Sequence, residues 1–157
     1  MPIRRSLQFI AILVVLMVCG RFGAALYLFS LEDYSPVPGS LTYYLGLSSF
    51  IRHTPVPSDA LTVKYFGSVG DGTKLPQSEV SYQVDVSKAD AAWADMKRYA
   101  DESGFSYKAG GLDASEQHDA TLVKKAEFSS PHEGALTLTL THDLATQALR
   151  LHMTHYD

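Results

Sequence analysis

The chain has 157 residues, 46% hydrophobic and 19% charged, with 13 Lys and Arg against 17 Asp and Glu for a net charge of −4. That length suits one ordinary domain, and the acidic balance excludes the clustered cations that a nucleic-acid partner requires. Cys19 is the only cysteine and there is no Asn, so an internal disulfide framework and N-glycosylation are both excluded.

The first 31 residues organise the rest. Arg4 and Arg5 precede an apolar run from Leu7 to Val18 broken only by Gln8, the layout with which a chain engages the secretion machinery. Three fates compete. A cleaved signal peptide would use the short core from Leu7 to Gly20, with Gly23 and Ala25 as the small residues before a cut. A lipoprotein would use Cys19, but Val18 is branched where that pattern wants a small residue. The favoured reading is an uncleaved anchor from Leu7 to Leu31, roughly 37 Å of helix at 1.5 Å per residue. Arg21 inside it costs about 2.5–3.5 kcal/mol, while each Leu, Ile, Val or Phe returns about 0.3–0.6. Fourteen such residues lie in the span, so the sum favours insertion. Arg4 and Arg5 before it, against Glu32 and Asp33 after it, place the N-terminus in the cytoplasm. The rest would then be periplasmic or otherwise extracytoplasmic, with release to the periplasm as the outcome of cleavage.

Residues 35–59 read as a proline-containing linker. SPVPGS at Ser35–Ser40 and TPVPSD at Thr54–Asp59 are semi-rigid spacers. Between them, Leu41–Ile51 is apolar and aromatic with blurred helical periodicity, and Gly46 weakens a helix there. It either folds back onto the domain core or contacts a partner or the bilayer surface. The two spacers favour contact, through Tyr43, Tyr44 and Phe50, residue types that carry binding energy and settle at membrane surfaces.

The outer domain is expected over residues 60–157. From His53 onward it carries 9 Lys and Arg against 15 Asp and Glu, a net of −6. Leu61–Phe66 and Glu79–Val86 alternate as strands and should pair antiparallel around a loop from Gly67 to Ser78. Ser87 should cap a helix whose apolar face is Ala89, Ala92, Trp93, Met96, Tyr99 and Ala100, with Gly104 ending it. Trp93 is expected to pack on the sheet. A loop from Phe105 to Asp119 could include a short strand at Ser106–Ala109. Thr121–Ser129 alternates poorly and reads as an edge strand. Gly134–His142 and Ala148–Tyr156 alternate cleanly and form the closing hairpin, with Leu140 facing Leu151. The fold class is therefore α+β: an N-terminal membrane-spanning or signal helix, then one antiparallel sheet with a single packed helix, ordered β-β-α-β-β-β.

Motifs for chemistry are weak. Gly67–Lys74 superficially resembles a phosphate loop, but Thr73 and Lys74 are in reversed order and a strand follows instead of a helix. A hairpin loop with an Asp-Gly turn at Asp71 is the better reading. The six histidines show no metal-ligand spacing, and His142 and His155 should lie about 20 Å apart along the last hairpin. No nucleophile motif is present. These features lead to an expected non-catalytic, membrane-anchored envelope domain without cofactor or metal, held by residues 7–31. It would bind another envelope protein as an assembly subunit, scaffold or inhibitor. The alternative is an exported enzyme or small-ligand binder with a site at loops 67–74 and 110–111, to be probed at Asp71, His118 and His132.

Overall fold

The structure, a computed structural model, describes residues 2–58, 60–70, 72–111, 116–117, 120–143, 146 and 148–156. Asp71 and His118 lie outside the described residues. The chain divides into two compact units, Met1–Glu32 and Asp33–Asp157.

The first unit is one helix, α1 (Pro2–Phe29). Apolar residues occupy every side of it rather than one stripe, and the side chains of Ile10, Leu13, Leu16, Phe22 and Leu26 are all exposed. Its uninterrupted apolar run stops at Arg21. Among the described residues, no helix is long and apolar enough to cross a membrane.

The second unit is α+β. Its strands are β1 (Asp33–Tyr34), β2 (Thr62–Ser68), β3 (Gln77–Val84), β4 (Ser106–Gly111), β5 (Glu116–Gln117), β6 (Ala120–Ser130), β7 (Gly134–Asp143) and β8 (Ala148–Tyr156). They form one eight-stranded sheet in the order β1-β2-β3-β8-β7-β6-β4, with β5 added beside β6. Every pairing is antiparallel. The helices are α2 (Leu41–Gly46), α3 (Ser49–Arg52) and α4 (Ala89–Glu102). Both α3 and α4 contact β8, with α3 also on β3 and α4 also on β7 and β4.

Strict alternation assigns the two sheet faces. Val80, Tyr82, Leu138, Leu151 and Met153 are fully buried on the helix side, where each buried aliphatic side chain contributes about 1.5–3 kcal/mol. Their neighbours Glu79, Ser81, Thr139, Arg150 and His152 are half-buried on the opposite side. The closing hairpin has the expected register, with Leu140 opposite Leu151, His142 opposite Leu149 and His155 opposite Leu136.

Several expectations need correction. The second unit is more than β-β-α-β-β-β, because β1, α2 and α3 precede that set and β4 and β5 are added between α4 and β6. β6 is interior, lying between β7 and β4. Its alternation fails because a bulge between Leu122 and Lys124 shifts the register. Lys124 and Ala126 then share the helix side while Leu122 changes face. Asp85, rather than Ser87, supplies the cap before α4. Its carboxylate accepts from the Ser87 N–H at 2.8 Å and the Ser87 hydroxyl at 2.6 Å, opening a 3₁₀ turn at Val86–Lys88. Gly104 does end the helix, at φ 85°, with the Phe105 N–H reaching back to Ala100 O at 3.1 Å. Trp93 is half-buried at the margin of the core, with the Lys124 ammonium 6.0 Å from its ring.

Residues 35–58 fall within the compact unit that begins at Asp33 and not in a spacer outside it. Ser40 caps α2 by accepting from the Tyr43 N–H at 3.2 Å, and Ser48 caps α3 by accepting from Ile51 N–H at 3.3 Å. Leu47, Phe50 and Ile51 are buried. Such irregular backbone can be buried only if its carbonyls find donors. Tyrosine hydroxyls supply them: Tyr34 to Gly46 at 2.6 Å, Tyr43 to Arg52 at 3.2 Å, Tyr99 to Phe50 at 2.8 Å and Tyr82 to Pro55 at 3.2 Å.

Candidate functional site

Those tyrosine bonds hold the strand-like residues after α3 alongside α4, and a cleft of about 530 Å³ lies between them. Its lining includes Pro55, Val56 and Pro57 on one wall and Met96 and Tyr99 on the other. The rim is charged. The Arg98 guanidinium lies 2.6 Å from the Asp95 carboxylate and 3.9 Å from Glu102, all three well exposed, so these pairs add little stability. His53 completes the rim, its Nδ1 donating to Ser49 O at 2.7 Å. The volume falls in the range of ligand clefts. A trough whose lining mixes apolar and charged side chains in similar share suits an extended segment.

Burial shapes the chemistry of the backing tyrosines. Tyr65 is pushed up to about 12 by burial and then by the neighbouring Tyr43 hydroxyl. Burial also raises Tyr82 and Tyr99. All three hydroxyls are therefore neutral donors at physiological pH, as the carbonyl bonds of Tyr82 and Tyr99 require.

The predicted contact residues separate. Phe50 is a core residue, its ring centroid 4.9 Å from those of Tyr99 and Phe105 and 5.4 Å from His155. It is corrected from surface contact to packing. Tyr43 is half-buried and meets Tyr65 edge-on at 5.1 Å. Tyr44 alone of the three is well exposed, at 57%. Cys19 is exposed on α1.

The alternative site also comes apart. Gly67 is a strand residue in β2, and Gly110 and Gly111 lie in β4 rather than in a loop. The sheet order separates β2 from β4 by five strand spacings, roughly 24 Å at 4.8 Å each. They are far apart along the sheet. His132 is exposed at the turn between β6 and β7. Among the described residues, no three His, Cys, Asp or Glu converge on a metal position.

No known protein family, curated protein or solved structure matches the chain.

One arrangement escaped the sequence reading. On the open sheet face, His152 Nδ1 donates to Glu79 Oε1 at 2.9 Å, and Thr154 donates to Glu79 Oε2 at 3.3 Å. Ser81 and Thr139 flank His152 as its register partners. A carboxylate orienting an imidazole is half of a catalytic arrangement, but this pair lies on a flat face and not in the cleft. Alternation placed each residue on an outward face. Only the β3–β8 pairing brings Glu79 and His152, 73 positions apart, together.

Proposed function

We propose that the protein is a membrane-tethered envelope protein whose outer domain binds another protein without catalysis, taking an extended segment of that partner in the cleft beside α4. The observation that carries the reading is the cleft itself: apolar walls of Val56, Pro57 and Met96, an ion-paired rim, and a wall fixed in place by Tyr82 and Tyr99. A preformed groove lowers the ordering cost of binding.

The tether is α1. A helix apolar on all sides needs an apolar surrounding, and residues 7–31 supply the length in sequence although the described apolar stretch falls short alone. Arg21 can extend its charge toward one surface. Arg4 and Arg5 before the helix and Glu32 and Asp33 after it support an inner-membrane protein with its C-terminal domain outside.

Photocrosslinking from position 56 in native membranes tests the reading. A photoreactive residue replacing Val56 should trap a discrete protein in the membrane fraction, while one replacing exposed Tyr107 on β4 should not. Equal yields from both positions, or none from Val56, would reject the cleft as the binding site.

A further inference from the structure

The chain carries no charged residue from Ser35 through Ile51, seventeen consecutive positions in a protein that is 19% charged. The structure sorts this stretch into a buried half and an exposed half. Leu47, Phe50 and Ile51 enter the core. Val37, Leu41, Tyr44 and Leu45 point the other way, at 70%, 64%, 57% and 45% exposure. Leu41, Tyr44 and Leu45 share one face of α2 by their three- and four-residue spacing. Val37 lies in the turn that leads into the helix, its carbonyl accepting from the Ser40 N–H at 3.0 Å. Clustered large apolar side chains at such exposure mark a contact surface.

We infer that this patch rests on the lipid bilayer, with Val37, Leu41, Tyr44 and Leu45 seated among the headgroups and upper acyl chains. The inference depends on the membrane tether proposed above. Two observations select a bilayer over a protein as the occupant.

The first is chain length. Four peptide links join Phe29, the last residue of α1, to Asp33, the first of the domain, a reach of no more than about 14 Å. The first residue of the domain therefore stays within that reach of the end of the tether. The second is where α2 is held. Tyr34, in the first strand of the domain, donates its hydroxyl to Gly46 O at the end of α2. Its ring lies against Gly46 and Gly67, where an added Cβ would come within 2.6 and 2.3 Å of it. The uncharged patch is thus fixed beside the first residues of the domain.

The chemistry agrees. An acidic domain gains nothing from an anionic surface by long-range attraction, so contact must come from apolar insertion at the interface, where tyrosine is favoured. The cation tied to α2 is Arg52, whose guanidinium Nη1 donates to Tyr44 O at 2.6 Å.

The test uses the full chain, reconstituted in phosphatidylcholine vesicles containing lipid brominated high on the acyl chains. Trp93 is replaced by Phe, and single tryptophans are introduced as L41W, Y44W, L13W and V86W. Val86 lies beyond the end of β3 remote from Gln77, the residue whose strand neighbour Ser68 pairs with Asp33. The L41W and Y44W indoles should lose more than about half their emission to the brominated lipid, as an interfacial residue does, while V86W stays unquenched. Quenching of L13W with none of L41W or Y44W would keep the tether and overturn the docking proposal, leaving the patch to water or a protein. An unquenched L13W would overturn the tether and the docking proposal together. Equal quenching of V86W would overturn the assignment to this patch.

Discussion

Replacing Phe50 by Ala separates a core residue from a contact residue. The ring is 9% exposed and packs against Tyr99, Phe105 and His155 with centroids 4.9–5.4 Å away. Truncating a buried aromatic costs about 3–5 kcal/mol. The compact unit spans residues 33–157, for which an unfolding entropy near 2.1 cal/mol/K per residue gives about 260 cal/mol/K, or about 4 °C per kcal/mol. Phe50→Ala should therefore lower Tm by about 11–19 °C. Tyr44→Ser, at an exposed position, should stay within about 2 °C of the parent because surface changes fall within about 0.5 kcal/mol. Thermal unfolding of the full chain in mild detergent, followed by near-ultraviolet circular dichroism, reads both. The packing argument fails if Phe50→Ala shifts Tm by no more than Tyr44→Ser does.

Three further outcomes are expected. Gly67→Ala should destabilise by about 1–3 kcal/mol through overpacking, because its Cβ would meet Tyr34 Cε2 at 2.3 Å; in a Tyr34→Ala background the same change should cost almost nothing, and additive costs in denaturant titrations would remove the clash as the cause. Tyr65 has its folded pKa raised from 10.0 to about 12 by burial and then by Tyr43; the unfolded chain therefore releases this proton first, so its stabilisation is complete below pH 10 and lost as pH rises through 12. Burial raises Tyr82 and Tyr99 in the same direction, and tyrosinate absorbance should rise together with loss of structure. Scattered histidines predict a melt unchanged by chelator, and a Tm lowered by chelation would restore a metal site.

The readable parts of the sequence were those whose pattern is local. Strict alternation in Gly134–His142 and Ala148–Tyr156 gave the last hairpin and its register, and the apolar spacing of Ala89–Ala100 gave the helix. The parts that could not be read depend on distant partners. Phe50 and Ile51 sit in an uneven pattern between prolines, and what permits their burial is hydroxyl groups from Tyr82 and Tyr99, tens of residues away. Gly46 looked like a helix weakener; its missing side chain makes room for Tyr34. The bulge at Leu122–Lys124 blurred the alternation, so that Thr121–Ser129 read as an edge strand although β6 lies inside the sheet. The cleft was invisible for the same reason, since its walls belong to a proline stretch and a helix face that only the fold brings together.

The position of β8 bears on how the molecule is made. This strand lies between β3 and β7, so residues 77–84 must wait for residues 148–156 before their ladder can form. Until then the growing chain holds two half-sheets, β1-β2-β3 and β7-β6-β4, each with a raw edge where β8 belongs. Such long-range pairing slows folding, and an unfilled edge invites strands from other chains. Residues 148–156 therefore close the sheet, and a chain in which they are missing or unpaired carries two sticky edges in place of one finished domain.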